Sequence, residues 1–105
     1  MTIYYVTTCV IKQEKKDQFM PLWKRFLKYV KDNPELFKLK SSKLYSQKMG
    51  DAYGKYIMMY EYDHLADIEK EENKVLKDKG FKKIEEEFLQ LVVPNTISVN
   101  VWKAE

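Results

Sequence analysis

The chain has 105 residues, 45% hydrophobic and 33% charged, which suits one domain spanning residues 1–105 that buries roughly two-thirds of the surface its unfolded form exposes. The single cysteine, Cys9, excludes an internal disulfide and a CxxC zinc or redox site; no apolar run approaches the ~18 residues of a membrane span, and the first residues lack a secretory leader, so the expected setting is cytoplasmic. Net charge is +3, with eleven basic against four acidic side chains in residues 1–50 and eight against twelve in the remainder. That asymmetry permits an anionic ligand or attraction between faces, while one arginine among nineteen basic residues disfavours a nucleic-acid partner.

"TIYYVTTCVI" is β-branched and aromatic without Gly or Pro, and predicts a first strand over Thr2 to Lys12. Phe19, Trp23, Phe26, Leu27 and Val30 then follow the 3.6-residue period of an amphipathic helix from about Glu14 to Lys31, in which Pro21 predicts a kink or a late start. "KDNPELF" stops it, since a residue before proline is pushed out of the α region. Residues 39–49 alternate loosely and carry lysines, as a polar edge strand does, and "GDAYG" predicts a hairpin turn into the strand "KYIMMYEY". Asp63 is the expected N-cap of a second helix with Ile68, Val75 and Leu76 on its apolar face. Gly80 is expected to end or bend it, before a segment Phe81 to Val92 that aligns Phe81, Ile84, Phe88 and Leu91 and leaves Glu85 to Glu87 mainly solvated. "TISVNVW" closes the chain as a fourth strand.

The order β-α-β-β-α-β predicts an α+β, ferredoxin-like fold: a four-stranded antiparallel sheet in the order 4-1-3-2. The first and third strands are apolar or aromatic on both faces, which suits central positions, yet two helices cover only one face of such a sheet. Tyr4, Val6, Val10, Ile57, Met59 and Val99 are expected on the other. An apolar patch of that extent calls for a cover, and a homodimer packed through the open sheet face is the simplest one.

"IYYVTTCVIKQEKKDQF" and "MYEYDHLADIEK" are similar to the opening strand and the strand-to-helix junction of the dimeric α/β-barrel superfamily, within it the NIPSNAP-like and antibiotic-biosynthesis-monooxygenase-like small proteins. The resemblance implies two stacked sheets forming a barrel, with a small-molecule pocket between sheet and helices in each subunit. Its members include haem-degrading and cofactor-free monooxygenases, isomerases and proteins without a known reaction. Where haem-degrading members carry Asn, Trp and His, this chain has Thr7, Tyr62 and Glu85; where NIPSNAP-like members carry an acid and Arg on the first strand, it has Tyr5 and Thr7. A carboxylate is no ordinary haem ligand, so no cofactor is expected.

Alternation directs Tyr5, Thr7, Tyr60 and Tyr62 toward the helices, where Glu85 joins them as candidate ligand-binding residues. Phenols orient an organic ligand, and a desolvated carboxylate abstracts a proton. The competing reading is ordinary core tyrosines beside a solvated glutamate. Glu61, Asp63 and His64 do not form a convincing metal trio, because His64 belongs to the next helix and is aimed elsewhere. Three functional classes follow: a cofactor-free monooxygenase or isomerase acting on a small organic ligand, a non-catalytic structural or interaction subunit, and an RNA-binding module. The last is disfavoured because Lys55 stands where a base-stacking aromatic is needed.

Overall fold

The computed structural model describes residues 1–50 and 53–105. Strand β1 (Ile3–Val10) leads through a 3-10 turn at Gln13–Lys15 into helix α1 (Lys16–Asp32); β2 (Ser41–Ser46) and β3 (Lys55–Tyr62) form a hairpin, helices α2 (Leu65–Val75) and α3 (Lys79–Leu91) follow, and β4 (Ser98–Lys103) ends the order. The sheet runs β2-β3-β1-β4 and every pair is antiparallel, which is the expected ferredoxin-like topology. Asp51 and Ala52, within the predicted turn, lie outside the described residues. The glycines beside them, Gly50 (φ 144°) and Gly54 (φ 81°), hold backbone conformations that a Cβ disfavours. No described helix is long and apolar enough to cross a membrane.

Strand periodicity divides the sheet into two faces. Toward the helices lie Ile3, Tyr5, Thr7 and Cys9 of β1, in register with Tyr62, Tyr60, Met58 and Tyr56 of β3. Phe19, Leu22 and Trp23 of α1 and Ile84 and Leu91 of α3 are buried above them, with the Phe19 ring tilted by 52° against that of Tyr56, centroids 4.6 Å apart. Leu22, rather than the expected Leu27, completes the buried stripe of α1; Leu27 is exposed. The helix continues through Pro21, because the carbonyl that loses its donor, that of Asp17, and the proline itself both belong to exposed residues.

The opposite face carries Tyr4, Val6, Val10, Ile57 and Met59 as expected, but not Val99. That residue pairs with Thr7 and so belongs to the helix side, while Trp102, paired with Tyr4, joins the open face. Tyr45, paired with Ile57, completes it. Val6, between Met59 and Asn100, is only 1% exposed, whereas Trp102 and Tyr45 at the margins are 52% and 47% exposed. Val6 at the centre is screened by its larger neighbours, while Val10, Ile57 and Met59 keep partial exposure between the aromatic margins.

Two helix boundaries differ from expectation. His64, with no side-chain cap bond, precedes α2 at the N-cap position; Asp63 instead pairs with Lys40, Nζ to Oδ1 3.0 Å. Gly80 does not end a helix but is the second residue of α3, whose N-cap is Asp78: its Oδ2 accepts from the Phe81 N–H at 2.9 Å and from the Tyr29 hydroxyl of α1. Glycine leaves room for the Tyr29 side chain of α1. A Cβ there would lie 2.7 Å from Tyr29 Cζ and overlap the hydroxyl.

Candidate functional site

The ridge of large side chains on α1 and α3 does not fill the space above the sheet. A cavity of about 330 Å³ remains, and all five candidate residues line it: Tyr5 and Thr7 from β1, Tyr60 and Tyr62 from β3, Glu85 from α3. Nine of its lining residues are aromatic. Tyr60 lies 6.3 Å from Tyr5, 6.3 Å from Trp23 and 5.9 Å from Phe26 in tilted or edge-on arrangements, geometries that present both faces and edges to an aromatic guest. Leu76, Leu89, Ile97 and Val99, all substantially exposed, rim the side toward β4, which the helices leave uncovered.

The polar groups fall into two sets. Tyr62, at the end of β3, is 3% exposed and donates its hydroxyl to Glu71 Oε2; α2 follows β3 so directly that Glu71 swings back over the strand end. Glu71 Oε1 accepts the backbone N–H groups of Lys38 (2.8 Å) and Leu39 (3.3 Å), clamping the segment before β2. Burial raises the Glu71 proton affinity above that of an ordinary carboxylate, even though these three hydrogen bonds pull the other way. Burial, reinforced by the Glu71 bond, likewise pushes the Tyr62 phenol up, so Tyr62 stays neutral and donating. Tyr5 and Tyr60 form the second set. Neither hydroxyl has a hydrogen-bond partner among the described residues, and burial is the first cause of the raised pKa of each.

Glu85 is exposed at the mouth, so the carboxylate held inside is Glu71, which the sequence reading passes over. It sits in "EKEENK", where neighbouring charges suggest a solvated surface. The available signal is its spacing: Ile68, Glu71 and Val75 fall at i, i+3 and i+7, one face of α2, and all three line the cavity.

The other candidate chemistry disperses. Glu61 accepts from the Ser41 hydroxyl at 3.2 Å, Asp63 pairs with Lys40 and His64 is exposed. Among the described residues no three His, Cys, Asp or Glu side chains gather as metal ligands would. The lining residues do not fit haem either: none is His or Cys, Met58 is buried on the sheet floor, and burial disfavours the tyrosinate form in which Tyr5, Tyr60 or Tyr62 would ligate iron. Cys9 is buried in the core, and burial raises its thiol pKa to about 11, so it is no nucleophile. Tyr56 and Tyr60 lie on the helix side of β3, leaving Ile57 and Met59 where a base-stacking sheet presents aromatics.

The chain matches no protein-family model and no curated protein. Solved structures do share its fold. A NIPSNAP family protein from Agrobacterium tumefaciens superposes over 100% of this chain and 94% of its own with a TM-score of 0.77 and 15% identity. SnoaB, a cofactor-independent oxygenase from Streptomyces nogalater, does so over 99% and 93% with a TM-score of 0.72 and 12% identity. An antibiotic biosynthesis monooxygenase covers 98% of each chain with a TM-score of 0.70 and 14% identity. The chain therefore has the fold of the NIPSNAP and antibiotic-biosynthesis-monooxygenase structures, at identities that speak for architecture alone.

Proposed function

We propose that this protein binds a small aromatic molecule in the cavity between sheet and helices and that Glu71, held by Tyr62, accepts a proton from it. The observation that carries this reading is the Tyr62–Glu71 pair in an aromatic chamber of about 330 Å³: a desolvated carboxylate with raised proton affinity, beside two phenols with free hydroxyls. Raising a carboxylate's pKa toward neutrality strengthens it as a base while it is still ionised at working pH. The unpartnered hydroxyls of Tyr5 and Tyr60 can hydrogen-bond a polar atom of the ligand and orient it. Proton abstraction of this kind opens both cofactor-free oxygenation and isomerisation, the reactions that the fold resemblance suggests.

Assembly belongs to the same reading. Two copies pack through the open sheet face, since Trp102, Tyr45 and Tyr4 frame a surface whose middle is Val6, Ile57 and Met59. Binding is tested by following the side-chain NMR signals of Trp23, Tyr60 and Met58 while 1-naphthylmethanol is added. Saturable shifts at all three, abolished in Val99→Trp, which blocks the uncovered rim, are expected. Shifts confined to surface residues, or unaffected by Val99→Trp, refute the cavity as the binding site.

A further inference from the structure

Resting on that reading of the cavity as a ligand site, we infer that its ligand is an organic cation: an aromatic body carrying a protonated nitrogen. The chain as a whole is basic, with nineteen Lys and Arg against sixteen acids, yet no lining side chain is Lys, Arg or His, and three are glutamates, Glu71, Glu72 and Glu85. They converge. The charges of all three act on the Tyr5 hydroxyl, each opposing its ionisation, so their fields add at one point within the chamber. An anion there meets three like charges with no counter-ion on the wall; the repulsion is strongest from partly buried Glu71, while solvent screens exposed Glu72 and Glu85. The anionic ligand that the basic half of the sequence permits is therefore excluded from this cavity.

A second observation, independent of the glutamates, also points to a ligand. Tyr60 is partly buried and lines the cavity, and its hydroxyl has no partner among the described residues, so a bound molecule can reach it. An ammonium N–H donates to that oxygen, while the rings of Trp23 and Phe26 beside it offer the negative π faces that attract a cation. Exposed Glu72 and Glu85 draw the cation to the mouth, and Glu71, with one remaining lone pair, receives it inside.

The test is calorimetric titration of the full chain at pH 7.5 with three probes of matched shape: 1-naphthylmethylamine, cationic; 1-naphthylmethanol, neutral; 1-naphthoate, anionic. The amine is expected to bind at least tenfold more tightly than the alcohol, and the naphthoate at least tenfold more weakly. Glu71→Gln should reduce the amine-to-alcohol ratio. Glu72→Gln/Glu85→Gln, at exposed positions that do not threaten folding, should reduce it further and remove its salt dependence. If the alcohol binds as tightly as the amine, or the naphthoate as tightly as the alcohol, the charge inference falls while the cavity reading survives. If none of the three binds, both fall.

Discussion

Replacing Tyr62 with Phe removes one hydroxyl and almost no volume, so its effect reports the bond to Glu71. A hydrogen bond to a charged group contributes about 1.5–3 kcal/mol; because Glu71 is only partly buried, solvent screening favours the lower half, about 1.5–2 kcal/mol. In the Glu71→Gln background, where the acceptor is a neutral amide, the same deletion should cost about 0.5–1.5 kcal/mol, leaving a coupling near 1 kcal/mol in the cycle of Tyr62→Phe and Glu71→Gln. The pH dependence follows from the direction of the Glu71 shift. Its folded-state pKa lies above the usual 4.5, so the folded chain binds more protons than the unfolded one between those two values, and stability falls as pH rises through that window. Asp78, whose pKa is lowered first of all by the Tyr29 hydroxyl bond, acts in the opposite direction, losing its contribution as pH falls; subtracting the Glu71→Gln profile isolates Glu71. Losing the Tyr62 bond removes an interaction that favours ionised Glu71, so in Tyr62→Phe the window should extend to higher pH. Urea unfolding of the four proteins from pH 4 to pH 8 measures all of this. A coupling below about 0.3 kcal/mol, within ordinary non-additivity, or a Tyr62→Phe minus parent difference that does not change with pH, would refute the Tyr62–Glu71 interaction as described.

Gly80→Ala should destabilise by about 1–3 kcal/mol through overpacking against Tyr29, although alanine is the better helix former by about 1 kcal/mol; in a Tyr29→Ala background the same change should stabilise, and chemical denaturation reads the reversal. Met59→Glu, which places a charge in the middle of the open sheet face, should shift sedimentation from a two-copy species toward a single chain without changing the circular dichroism, and a parent protein that already sediments as a single chain would remove the assembly from the proposal. Phe19→Ala, at a site 2% exposed and in tilted ring contact with Tyr56, should cost about 3–5 kcal/mol in urea unfolding. Cys9, 1% exposed and with its pKa raised to about 11, should react with a thiol reagent at neutral pH only at the rate of unfolding.

Much of the architecture is legible in the residues because it depends on local periodicity. The two-sided apolar character of "YYVTTCV" and "YIMMYEY" identifies β1 and β3 as central, Lys43 in β2 with Lys40 and Lys48 flanking it marks an edge, and "NP" ends α1, all from constraints that act within a few residues. The same alternation directs Tyr5, Thr7, Tyr60 and Tyr62 to one face, so the floor of the cavity is readable as well. What local pattern cannot convey is proximity between distant elements. Glu71 looks solvated in its charged run and is recruited only because α2 folds back over the end of β3; Gly80 looks like a helix stop and proves to be the gap through which Tyr29 reaches Asp78; Val99 and Trp102 exchange faces because the register with β1, not their own alternation, decides which side is inward. Sequence periodicity thus specified the layers and the aromatic floor, while the charge of the chamber and the identity of its inner carboxylate arose only when helices far apart in sequence were packed onto one sheet.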